Sequence, residues 1–124
     1  MKTRRNMILV AAEKVLRLLV SEGSGQAVTE LRHLRAVDLS RALSGQEDGR
    51  VVRFAKGIAE FVEGEWRKGG YDRLTLVAGA AMLQAMQQEL PDRLCDRIAA
   101  VLDRDMIDVP LRDIAGQLKA IHAI

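Results

Sequence analysis

The sequence predicts a layered α/β domain, and three adjoining stretches predict it. Residues 74–78 form a short apolar run, with Gly69-Gly70 ahead of it and Gly79 behind it. A run this short, bounded by turn residues, reads as a strand buried on both faces. Residues 50–68 before it carry apolar side chains at helical spacing, and a second helical pattern starts after Gly79. Helix, buried strand, helix is the unit from which α/β folds are layered.

The bulk composition fits one such domain. With 124 residues the chain suffices for one core and is too short for two, so residues 1–124 read as a single domain, with 1–6 as a basic tail. It is 48% hydrophobic and 29% charged, a globular balance. One Trp, one Tyr and two Phe leave the core to aliphatic residues and Met. The net charge of +2 is too small to argue for nucleic acid by itself, since Lys2, Arg4 and Arg5 sit together at the start. Cys95 is the single cysteine, which excludes an intrachain disulfide and a cysteine metal cluster and fits a reducing compartment. The apolar run 7–12 is interrupted by Glu13 and Lys14, too soon for a signal peptide or a spanning helix. The expectation is a soluble cytoplasmic protein without membrane contact.

Residues 7–12 are apolar throughout and read as an interior strand. Residues 15–20 follow after Glu13-Lys14, with Arg17 the lone charge, and would form a hairpin with them. Glu-Lys is poor chemistry for a two-residue turn, because neither residue favours positive φ. Residues 21–25 make a clear second turn. In 26–43, Val28, Leu31, Leu34 and Val37 recur at helical spacing, yet two strands and a Gly-rich turn precede them. That position favours a third antiparallel strand over 27–34 and a short helix over 38–43, ahead of a polar loop at 44–49. In residues 50–68, Val51, Phe54, Ala55, Ile58, Val62 and Trp66 form one stripe. Lys56 with Glu60 and Glu63 with Arg67 lie four apart on the outer side, worth about 0.3 kcal/mol per pair. Gly57 and Gly64 weaken that helix and suggest close packing on a sheet.

Residues 80–90 read as a helix with Met82, Leu83, Met86 and Leu90 inward, and Pro91 breaks it. The helical pattern resumes over 93–102 through Leu94, Ile98, Val101 and Leu102, with Cys95 a small buried hydrophobe beside it. Residues 103–109, before Pro110, read as a short edge strand. Leu111, Ile114, Leu118 and Ile121 mark a last amphipathic helix.

Reactive constellations are scarce. On a strand, Asp103 and Asp105 would share a face and would hold a divalent ion, but a two-metal hydrolase also needs a carboxylate on its first strand, and 7–12 has none. His33 and His122 are isolated, with no carboxylate spaced to orient either. There is no nucleophile elbow, no phosphate-binding Gly-rich loop and no dinucleotide fingerprint. The expectation is therefore no catalysis, no metal and no cofactor. Arg50, Arg53 and Lys56 cluster at the start of the best helix, where a helix N-terminus adds donors for a phosphate, though no aromatics accompany them for base stacking.

The second half also resembles the bacterial host attachment family. The likeness runs through Phe54-Ala-Lys, Ile58-Ala, the phrase Tyr71-Asp-Arg-Leu-Thr-Leu-Val-Ala78, then 83–90, Val101-Leu-Asp-Arg-Asp-Met106 and Val109-Pro110. The first half matches more weakly, through Leu9-Val-Ala11 and Glu22-Gly23. Two features depart from that family: Ala12-Glu13 replaces its usual Asp-Gly, and its long polar loop shrinks to 44–49. The family is similar in turn to the middle domain of archaeal and eukaryotic peptide-chain release factors, with their Gly-Gly-Gln loop and Arg-Phe-Ala-Arg helix. Here Ser44-Gly45-Gln46 precedes Arg53-Phe54-Ala55-Lys56. The resemblance implies a three-layer mixed sheet of about five strands with helices on its faces, as in ribonuclease H-like folds.

Three functions follow as expectations. The first is a non-catalytic attachment-type protein acting by binding, with a protein partner or a second copy on an apolar stripe along 118–124. The second is a ribosome- or RNA-associated domain using Gly45, Gln46, Arg50, Arg53 and Lys56. The third is a hydrolase with an acidic metal site at Asp103 and Asp105.

Overall fold

The computed structural model describes residues 5–12, 15–22, 27–35 and 50–121, with the side chains of 22, 27 and 50–53 excepted. Three strands open the chain: β1 (Arg5–Ala11), β2 (Val15–Glu22) and β3 (Ala27–Arg35). Helix α1 (Arg50–Gly69) leads into β4 (Arg73–Ala78). Helix α2 (Ala80–Glu89) and the single turn α3 (Asp92–Cys95) lead into β5 (Ile98–Asp103), and α4 (Leu111–Ala120) closes the chain. The five strands make one sheet in the order β3-β2-β1-β4-β5. β1 pairs antiparallel with β2 and parallel with β4; β2–β3 is antiparallel and β4–β5 parallel. The predicted mixed sheet is the observed one.

Alternation along the strands divides the core in two. Met7, Leu9 and Ala11 of β1, Leu16, Leu18 and Val20 of β2, and Leu74, Leu76 and Ala78 of β4 face one side. There they meet Phe54, Ala55, Ile58 and Val62 of α1 and Met82, Leu83 and Met86 of α2. Ile8, Val10, Leu19 and Val77 face the other side and meet Met106 with Ile114 and Leu118 of α4. Helices on both faces explain why β1 and β4 are largely apolar and buried on both sides. On the second face a buried polar pair joins them, Thr75 Oγ1 donating to Asn6 Oδ1 at 3.1 Å.

Several turns follow sequence chemistry. The β1–β2 hairpin is closed by Ala12 N–H donating to Val15 C=O at 2.9 Å. Gly70 has φ 64°, the left-handed residue that ends a helix. Arg67 and Lys68 fill the last turn of α1, where cations suit the helix dipole. A Cβ on Gly69 would overlap the Tyr71 ring. That ring is buried and touches the Trp66 indole, its centroid 5.6 Å away, and the Arg5 guanidinium, 4.5 Å from its centroid. Arg5 also donates through Nη1 to Gly69 C=O, so these contacts tie the start of β1 to the end of α1.

The C-terminal third corrects the sequence reading. Residues 98–103 are a strand, where the helix over 93–102 was expected to continue, and the edge strand expected over 103–109 does not form beyond Asp103. Ile98, Ala100 and Leu102 reach the core only at alternate positions, while Ala99 and Val101 are exposed. The apolar spacing in 94–102 fits a helical face and an edge strand alike, and only the pairing with β4 decides between them. A Cβ on Gly64 would meet nothing within 4 Å, so close packing does not account for it. The helix expected at 38–43 and the loop at 44–49 lie outside the described residues.

Candidate nucleic-acid interface at the carboxyl edge of the sheet

The strand directions bring the chemistry to one edge. β3 runs antiparallel to β2, and β2 antiparallel to β1, so β3 runs with β1, β4 and β5. Their carboxyl ends, Arg35, Ala11, Ala78 and Asp103, therefore share one edge of the sheet. α1 turns into β4 through Gly70, so its N-terminus lies back at that same edge. Its 20 residues span about 30 Å, against about 20 Å for the six of β4, so its first turn projects beyond the sheet. α2 starts one residue after β4 and opens there too. In open α/β sheets ligands settle outside the carboxyl ends of the strands.

A cleft of about 340 Å³ occupies this edge, lined by Ala11, Ala12, Gly79, Ala80, Ala81 and Asp105. Gly79 caps α2 in extended conformation and has no side chain to cap with. The first helical bond is Leu83 N–H to Gly79 C=O at 2.9 Å, which leaves the earlier N–H groups directed out of the helix end. α2 has no acidic residue in its first turn, so its partial positive charge is not offset from within. Asp105 on the far wall spends one oxygen on Ile107 N–H at 3.2 Å.

The residues expected from the sequence are distributed as follows. Arg50 and Arg53 belong to the projecting first turn of α1, and Lys56 is exposed just behind it. Gly45 and Gln46 lie outside the described residues. Asp103 and Asp105 do not share a strand face, because Asp105 follows the end of β5. Among the described residues no group of three His, Cys, Asp or Glu could hold a metal ion. Leu118 is fully buried, so it belongs to no exposed stripe, whereas Ile121 is exposed. Cys95 is half-buried beside the core, its Sγ near Leu90 C=O at 3.6 Å. Burial first, then Asp92 and Asp96, push its thiol above the ordinary 9.0.

One network escaped the sequence reading. Arg17, nearly buried on β2, donates through Nε and Nη2 to Glu30 Oε1 at 3.2 and 2.7 Å. Its Nη1 donates to Ile107 C=O at 3.1 Å and Val109 C=O at 2.8 Å. His33 Nδ1 lies 3.3 Å from Glu30 Oε2. Three residues apart on a regular strand, Glu30 and His33 would face opposite ways. The register shift opposite Leu18 and Leu19 makes Leu31 an extra residue and returns both to the side of Arg17. No sequence signal marked that bulge.

The family model named Bacterial archaeo-eukaryotic release factor family 12 matches residues 38–118. The chain belongs to that family. The match covers α1 to α4 with the segment entering α1, the part in which the sequence resemblance was densest. This family 12 domain is similar to solved structures at low identity. An archaeal translation termination factor, aRF1, matches with TM-score 0.51 and 10% identity, over 96% of this chain and 40% of that one. A structure described as an archaeal protein gives TM-score 0.52 and 10% identity, over 96% and 39%. A PPX-GPPA enzyme of Aquifex aeolicus gives TM-score 0.51 and 9% identity, over 82% and 36%. The family 12 domain thus spans about two fifths of each of these chains, and the likeness is one of fold. No curated protein sequence matches it. No helix among its described residues is long and apolar enough to cross a membrane.

Proposed function

We propose that this family 12 domain is a ribosome- or RNA-associated binding module that meets phosphates at the carboxyl edge of its sheet. The observation that carries the reading is the convergence there of the projecting first turn of α1, the exposed Lys56 and the uncapped start of α2. Arg50, Arg53 and Lys56 supply the charge, helix N–H groups supply oriented donors, and Gly45 and Gln46 stand in the segment that enters α1. Membership of a release-factor family and likeness to a translation termination factor support an RNA-rich partner. In this reading the domain binds and does not catalyse.

Co-sedimentation with ribosomes at low and high salt tests it. Binding that weakens with salt, and that is weaker and less salt-dependent in Arg50→Ala/Arg53→Ala/Lys56→Ala, is expected; no sedimentation at low salt would sink the reading. A role in attachment to host cells is the second reading, supported by the phrases between Phe54 and Pro110. Its check is adhesion to host cells, compared between strains with and without the gene.

A further inference from the structure

The two edges of the sheet are built differently. β3, at one edge, carries Glu30, Arg32, His33 and Arg35, polar side chains of the kind that keep an edge from pairing. β5, at the other, shows Ile98-Ala-Ala-Val-Leu102 with no charge before Asp103, and none of the described residues pairs with its outer side. Val101 is 41% exposed, one of three large hydrophobic residues so exposed among those described. The five apolar residues are framed by Asp96-Arg97 before them and Asp103-Arg104 after them, all four exposed.

We propose that β5 pairs antiparallel with β5 of a second copy of this chain, about a two-fold axis at Ala100, joining two sheets into one of ten strands. The frame of charges selects the occupant and the direction. In an antiparallel pair the Asp96-Arg97 end of each copy lies alongside the partner's Asp103-Arg104 end. Each acid then has a base within side-chain reach, and each base an acid. A parallel pair would instead set Arg97 beside the partner's Arg97. At the axis Ala99 meets the partner's Val101, and Ala100 its own copy. The register shift between Leu74 and Thr75 makes Ala99 an extra residue on the inner ladder of β5; on the outer edge Ala99 and Val101, both exposed, face each other across the axis. The isologous pairing closes at two copies, because the opposite edge is guarded. A contact of one short strand buries less than a standard interface, so the expected Kd is on the order of micromolar or weaker.

Sedimentation equilibrium over about 10 to 500 µM, a span set by that affinity, reads the assembly. The expected result is a weight-average mass that rises from 13.7 kDa towards twice that value. Val101→Lys, at an exposed position, holds the mass at 13.7 kDa with an unchanged circular dichroism spectrum. Arg97→Asp shifts the dimer constant at least tenfold weaker, and adding Asp103→Arg restores it. A mass constant across the range, a dimer untouched by Val101→Lys, or a double variant no tighter than the single one would overturn the proposal.

Discussion

Arg17 stands on β2 between Leu16 and Leu18, and all three of its guanidinium nitrogens are engaged. Nε and Nη2 hold Glu30, and Nη1 holds the backbone of the segment that carries Met106 into the second core. Removing one partner of such a pair leaves the other uncompensated. Arg17→Ala is therefore expected to cost about 2–4 kcal/mol in urea denaturation. Arg17→Lys should recover little, since an ammonium cannot reproduce the fork. Gly69 is a second residue with a definite cost. The Tyr71 ring that its absent Cβ admits is buried and in contact with Trp66 and Arg5, so moving it aside would disturb both contacts. Gly69→Ala should destabilise by about 1–3 kcal/mol, and by much less when Tyr71 is already Ala. Neither effect was legible in the sequence. Arg17 read as a lone charge because its partners lie 13 or more positions away, and Gly69 as half of a helix stop because only the fold lays the Tyr71 ring against it.

Among the elements, α3 and the turn after it convert a helical layer into an edge strand within two residues. Cys95 ends α3, and its environment gives the turn a pH signature. Burial and the two flanking aspartates favour the neutral thiol, so its proton is held more tightly in the folded chain than in the unfolded one. The stability this contributes is complete below 9.0 and is lost as pH rises above it, because the unfolded thiol ionises first. Thermal denaturation followed from pH 8 to 10, bracketing that ordinary value, should show a decline that Cys95→Ala reduces. A slope unchanged by the substitution would place the titration elsewhere.

At the scale of the whole molecule, a mixed five-stranded sheet sends four strands of five to one edge, and the longest helix overshoots that edge. The release-factor family supplies the context for reading this edge as a phosphate-binding surface. If Arg50, Arg53 and Lys56 each meet a phosphate, the triple substitution should reduce the slope of log binding constant against log salt by about two. A weaker constant with the same slope would point to lost packing rather than lost charge. The sequence by itself determined the α/β class, the doubly buried β1 and β4, the stripe of α1 and its stop at Gly70, since periodicity and turn chemistry are local. It also placed β3 as a strand against its own helical spacing, through its position after a hairpin and a Gly-rich turn. Only the tertiary structure decided that 98–103 pairs as a strand, because an edge strand with apolar residues on both sides has no period that excludes a helix. Only the tertiary structure, too, joined Arg17, Glu30 and His33, since a one-residue bulge reverses which face a side chain takes and leaves no mark in composition.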